Sequence, residues 1–95
     1  MSDLFEPVRR QRATIVNAKG LHARAAAKLA KLAATFKSEI TVARNETTVS
    51  ARSIMGLMML AAAKGAEIEL EARGADAEQA IAAIVALVEG GFGES

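Results

Sequence analysis

The sequence predicts an α+β fold, a two-layer open-faced sandwich in the order βαββαβα, and three observations carry that reading. Residues 67–73 alternate strictly, Glu67, Glu69, Glu71 and Arg73 standing between Ile68, Leu70 and Ala72. That is a strand with one packed face and one wet face. From Ala25 the apolar residues recur as Ala25/Ala26, Leu29, Leu32/Ala33 and Phe36, which is helical spacing. Asp76, with Gln79 three residues on as a capping-box partner, opens another periodic run of Ala80, Ile81, Ile84, Val85 and Val88 that stops at Gly90-Gly91. Helices that all cover the packed face of the sheet leave the other face open, which gives two layers. A chain of 95 residues can bury one core and cannot divide it. One domain over residues 1–95 is therefore expected, with its core at about 11–90 and flexible tails.

The elements follow in order. Residues 12–16, RATIV, form a short strand that ends at the turn Asn17-Ala18-Lys19-Gly20. The first helix runs from about His22 to about Thr35. Residues 39–43 and 47–50 make a hairpin across Arg44-Asn45-Glu46. A short apolar helix starts at Ser53 and continues to about Ala63, stopped by Lys64-Gly65. Strand 67–73 and the helix from Asp76 complete the fold, and Phe92 to Ser95 are expected to fray.

Composition excludes several classes of function. Apolar residues make up 52% and charged residues 24%, which separates the chain from disordered sequences. With no cysteine, neither a disulfide framework nor a thiolate metal site is available, and a cytoplasmic address is the default. The start, MSDLFEPVRRQR, carries acids before its basic residues and no apolar segment, so it does not read as a secretory signal. No apolar run reaches the length of a membrane span, and membrane insertion is not expected. Residues 1–37 hold eight Lys/Arg against Asp3 and Glu6, a balance of +6, while residues 38–95 balance to −5. The split suggests a polarised surface. The only aromatics are Phe5, Phe36 and Phe92, too few for a base-stacking platform, so nucleic acid is not expected as a partner.

The single histidine, His22, stands where the first helix begins. Backbone N–H groups there lack intrahelical partners, and the helix dipole favours anions. An imidazole can be neutral and nucleophilic near pH 7, and Arg24 lies two residues on, able to neutralise an arriving phosphoryl group. On spacing alone two readings stay open: a phosphoryl-bearing site, or a histidine that caps the helix or sits exposed in a loop. Without a second histidine or any cysteine, no metal site is expected. No serine lies in a nucleophile-elbow pattern either. Arg24, Lys28 and Lys31 fall at i, i+4 and i+7 on one helical face, either a docking strip or an ordinary solvated face. Ser53 precedes a short helix, a favoured N-cap position. Met55, Met58 and Met59 give that helix a soft surface, and so short a helix cannot hide them all.

Gly20-Leu21-His22-Ala23-Arg24, followed by Lys37-Ser38, the stretch from Ser50 to Met58, and Lys64-Gly65, resembles HPr, the histidine phosphocarrier family of the bacterial phosphotransferase system. The similarity spans roughly residues 11–90. It implies a four-stranded antiparallel sheet with three helices on one face. It also implies that Nδ1 of His22 accepts a phosphoryl group from phosphorylated enzyme I, itself charged by phosphoenolpyruvate, and passes it to a histidine of an enzyme IIA-type acceptor. Arg24 matches the arginine that helps hold the phosphate. Ser53 matches the serine that an ATP-dependent HPr kinase/phosphorylase modifies in many members. The protein is then a monomeric carrier without independent turnover or cofactor, and both partners are expected to share a patch of His22, Arg24, Lys28, Lys31, Arg52, Met55 and Met58. The chain departs from the family at Ala25, where proline is usual, which loosens the helix start and adds one N–H. Two alternatives stand beside this reading: a regulatory HPr of the nitrogen-related branch that acts by binding control proteins, and a non-catalytic α+β binding module.

Overall fold

The computed structural model describes residues 6–94. Its elements are β1 (Val8–Thr14), α1 (Ala23–Ala33), β2 (Glu39–Arg44), β3 (Thr47–Ser50), α2 (Ile54–Met59), β4 (Glu67–Arg73) and α3 (Ala77–Glu89). The strands form one antiparallel sheet in the order β1-β4-β2-β3. Ile40, Val42, Ile68, Leu70 and Ala72 point from it into the core, where they meet Leu29, Leu57, Ile84 and Val88 of the helices. The predicted order βαββαβα and the open-faced sandwich are both present. No helix among the described residues is long and apolar enough to cross a membrane. Of the flexible N-terminal tail expected before residue 11, residues 1–5 lie outside the described residues and Val8 to Arg10 belong to β1.

Four local expectations change. β1 begins at Val8 instead of residue 12 and ends at Thr14 instead of residue 16. Its full length is paired with β4, Val8 opposite Arg73 through Thr14 opposite Glu67, in a register that sets Arg10 opposite Glu71 and Arg12 opposite Glu69. Arg10 Nε lies 2.6 Å from Glu71 Oε2, and Arg12 Nε 3.3 Å from Glu69 Oε2. The acidic half of the chain thus neutralises part of the basic half on the open face of the sheet, and the charge asymmetry of the sequence does not carry over whole to the surface.

The short helix α2 stops at Met59 and does not reach Ala63. Ala61 turns to φ 51°, and the carbonyl of Ala62 is brought round to accept the Leu21 N–H at 2.9 Å. This docking also explains Gly20. At φ 65°, a Cβ at Gly20 would lie 2.5 Å from the Ala62 carbonyl oxygen, so no side chain fits.

The capping box expected at α3 is absent, because the Asp76 side chain makes no cap bond to its own helix. Its carboxylate instead accepts the N–H groups of Lys37 and Ser38, at 2.8 and 2.9 Å, and the Ser38 hydroxyl. Asp76 therefore ties the start of α3 to the entry of β2.

Of the tail expected to fray, Phe92 to Glu94 are ordered, and Ser95 lies outside the described residues. Gly91–Gly93 form a 3₁₀ turn, and Phe92, at φ 57°, is only 1% exposed. The apolar gain from seating an aromatic ring explains why this segment is ordered where a polar tail would not be.

Candidate functional site

The site is built from three backbone arrangements. The turn after β1 is closed by Gly20 N–H to Asn17 O, 3.1 Å, and by Asn17 Nδ2 to Gly20 O, 2.8 Å. Leu21 is buried, and its bond to Ala62 fixes the direction in which the chain enters α1. His22 is the N-cap residue, extended at φ −77° and ψ 180°, and its carbonyl accepts the Ala26 N–H at 2.8 Å. Its side chain makes no cap bond, and α1 carries no acid in its first turn. Among the described residues, the N–H groups of Ala23, Arg24 and Ala25 have no acceptor. The start of α1 is thus an uncompensated positive end beside the imidazole.

Among the described residues the ring has one polar partner. His22 Nε2 lies 2.5 Å from Glu94 Oε2, while the other oxygen of Glu94 accepts Asn17 Nδ2 at 2.9 Å. Glu94 reaches this position because Phe92 is buried behind it and Lys28 Nζ donates to the Phe92 carbonyl at 2.7 Å. The hydrogen bond from His22 holds the Glu94 carboxyl below its ordinary value, followed by that from Asn17, with the charges of His22 and Lys28 adding to the effect against a small desolvation cost. An ionised carboxylate can only accept, so a neutral His22 ring donates from Nε2 and keeps its lone pair on Nδ1. The tautomer follows from this network.

The remaining predicted residues divide. Arg24 and Lys31 are exposed and make no hydrogen bond or ion pair among the described residues, so both are free to meet an anion or an acidic partner. Lys28 is not a free member of the strip, being bonded to Phe92 O. Arg52 is also committed: it donates to Phe36 O at 2.7 Å and to Ser38 O at 3.4 Å, pinning the loop between α1 and β2 to the turn before α2. Ser53 caps α2, its hydroxyl accepting the Gly56 N–H at 2.9 Å. Met55 and Met58 are 74% and 44% exposed, and Ile54 and Met59 extend the apolar patch they form.

Asn17, Phe92 and Glu94 were missing from the sequence reading of the site. Phe92 was the available signal: an aromatic residue past a helix stop has reason to be buried. Glu94 carried no signal of its own, because its partner lies 72 positions away.

The surroundings of His22 are open. A shallow depression beside it is lined by Lys19, Leu21 and Ala61 to Ala63. A second depression, on the open sheet face, is crossed by the ion pairs of Arg10, Arg12, Glu69 and Glu71. With a quarter of its side chain exposed, His22 is placed for a reactive group presented by another macromolecule more than for an enclosed small substrate.

Comparison with known proteins gives the family and the fold. The family described as "PTS HPr component phosphorylation site" matches residues 9–90. The chain is 53% identical over 85 residues to the phosphocarrier protein HPr of Neisseria meningitidis serogroup A, covering 90% of this chain and 96% of that one. It is 50% identical over 82 residues to the phosphocarrier protein NPr of Shewanella violacea, covering 86% and 90%. A crystal structure of HPr from Thermoanaerobacter tengcongensis superposes with a TM-score of 0.87 at 42% identity, covering 92% of this chain and 98% of that one.

Proposed function

The chain belongs to the HPr family of phosphotransferase-system phosphocarriers, and from that premise we propose that His22 takes a phosphoryl group from phosphorylated enzyme I and delivers it to an enzyme IIA-type acceptor. The observation that supports this most is the state of the ring. Nε2 is occupied by Glu94, Nδ1 is left with its lone pair, and the unpartnered N–H groups of Ala23, Arg24 and Ala25 follow directly in the chain. In the transfer, the Nδ1 lone pair forms the new N–P bond while the donor's N–P bond breaks and its electron pair returns to the donor ring. The helix start and the free guanidinium of Arg24 receive the phosphoryl oxygens. A relay must also release its cargo. Dipoles and one mobile arginine suit that better than an enclosing cage.

Docking uses Arg24 and Lys31 for charge and Met55 and Met58 for contact, with Ile54 and Met59 at the margin. Lys28 and Arg52 enter this proposal as ties that hold the surface in shape. Phosphorylation of Ser53 by an HPr kinase/phosphorylase would place about −1.5 to −2 charge beside the methionine patch and so oppose docking of an acidic partner. Mass spectrometry after incubation with that kinase and ATP tests this point, and unmodified Ser53 removes the regulatory role. The protein acts in this reading as a cytoplasmic monomer and a carrier with no turnover of its own.

Relatives named NPr favour a second reading, in which the same phosphoryl chemistry serves the nitrogen-related branch and the output is binding to control proteins. Offering the phosphorylated protein to enzyme IIA-type acceptors of each branch separates the two by their rates. For the shared claim, incubation with enzyme I and phosphoenolpyruvate is expected to give one acid-labile phosphate, absent in His22→Ala. No phosphate on the wild-type chain would leave only the binding-module reading.

A further inference from the structure

We infer that Glu94 is the positioning residue that makes His22 react at Nδ1: its carboxylate holds the proton on Nε2 and neutralises the charge that the ring gains as the Nδ1–P bond forms. The inference rests on the reading of His22 as phosphoryl acceptor. Attack by Nδ1 on phosphorus while Nε2 keeps its hydrogen turns a neutral ring into a cation, and that charge develops 2.5 Å from Glu94 Oε2. When the phosphoryl group leaves, the electron pair returns to Nδ1 and the ring is neutral again. No proton has to move in either direction, so the carboxylate serves uptake and delivery alike. The logic is that of a carboxylate orienting a catalytic imidazole without taking its proton.

An isolated surface contact of this type would be worth little, because two mobile side chains must be ordered to make it. Glu94 is held independently of His22. Its backbone follows a buried Phe92 whose carbonyl is bonded to Lys28, and its second oxygen is held by Asn17. The Asn17 amide is committed to this task. Its Nδ2 serves both Gly20 O and Glu94, while its buried Oδ1 has no partner among the described residues. Rotating the amide would turn Oδ1 against two acceptors, so the orphaned oxygen is the lesser cost. Both side chains of the His22–Glu94 pair are also mostly covered, at 26% and 21% exposure.

Heteronuclear NMR of histidine-labelled protein, followed with rising pH until the ring nitrogen shifts no longer change, reads the tautomer of the neutral ring directly. Phosphoryl uptake from phosphorylated enzyme I is measured on the same samples. The wild type is expected to be wholly the Nε2–H form. Glu94→Ala is expected to fall toward the mixture of free histidine and to take up phosphate about tenfold more slowly, the effect of losing one charge-assisted hydrogen bond. Glu94→Gln, which still accepts from Nε2 but is uncharged, is expected to keep the tautomer and show an intermediate rate. Cooperative thermal unfolding and an amide spectrum unchanged away from the site establish that the variants are folded. An unchanged tautomer in Glu94→Ala overturns the positioning role, whatever the rate. A shifted tautomer together with no phosphate on the wild type supports the positioning role and overturns the phosphocarrier reading instead.

Discussion

A carboxylate held by donors stabilises a fold only while it is ionised. Two carboxylates here are so held. Asp76 is lowered from its ordinary value by the Ser38 hydroxyl and then by the Lys37 N–H, and Glu94 by His22 and then by Asn17. A folded pKa below the unfolded one means that the stabilisation is complete above the unfolded value, about 3.9 for Asp and 4.3 for Glu, and is lost as pH falls through the folded value. Urea unfolding measured between about pH 5 and pH 2 should show stability falling across this window, with a shallower fall for Asp76→Asn. An unchanged slope in that variant would mean that Asp76 is not among the titrating groups. His22 was legible at this scale because one histidine at a glycine-turn and helix junction is a local pattern. Asp76 was misread for the opposite reason. Its spacing to Gln79 matched a local motif, while Lys37 and Ser38, which it serves, lie far off in sequence.

Among the elements, α1 and the 3₁₀ turn decide the site. The Ala25 N–H has no acceptor among the described residues, so Ala25→Pro removes no helical bond and restores a fixed φ. If the ring fits this buried position, calorimetry should show stability kept or raised by about 0.4–1 kcal/mol, and hydrolysis of the phosphohistidine should be faster for want of one N–H. A phosphohistidine lifetime equal to that of wild type would show that position 25 does not touch the phosphate. Phe92→Ala is expected to cost about 3–5 kcal/mol in denaturant unfolding, the range for deleting a buried aromatic ring. It should also release Glu94 from His22, so the tautomer shifts together with a large loss of stability, whereas Glu94→Ala shifts the tautomer with only the smaller loss that one partly covered carboxylate contributes. Strands with periodic faces and helices with apolar stripes could be read from the sequence because their signal lies within a few residues. The start of β1, the end of α2 and the order of the last turn could not. Each is set by a distant partner: the backbone of β4, the Leu21–Ala62 bond, and the core that receives Phe92.

Over the whole molecule, charge is sorted by layer. Arg9 faces Glu78 of α3, while Arg10 and Arg12 are paired with Glu71, Glu67 and Glu69, which leaves the open sheet face mixed in sign. Arg24 and Lys31 remain free on α1, beside the exposed methionines of α2. Binding of enzyme I should therefore weaken severalfold at low salt for Lys31→Glu, and the loss should shrink as salt screens the surface. Arg10→Glu, on the open sheet face, should leave binding unchanged. Equal effects from the two variants would place the docking surface elsewhere. The central claim is narrower than docking: a helix start and a bound carboxylate together make one nitrogen of one ring the carrier of phosphate. Nitrogen–phosphorus correlation in the NMR spectrum of the histidine-labelled, enzyme I-phosphorylated protein tests it most directly. The account predicts a single coupled nitrogen, Nδ1 of His22, with Nε2 still bearing hydrogen; phosphate on Nε2, or on any other residue, would contradict it.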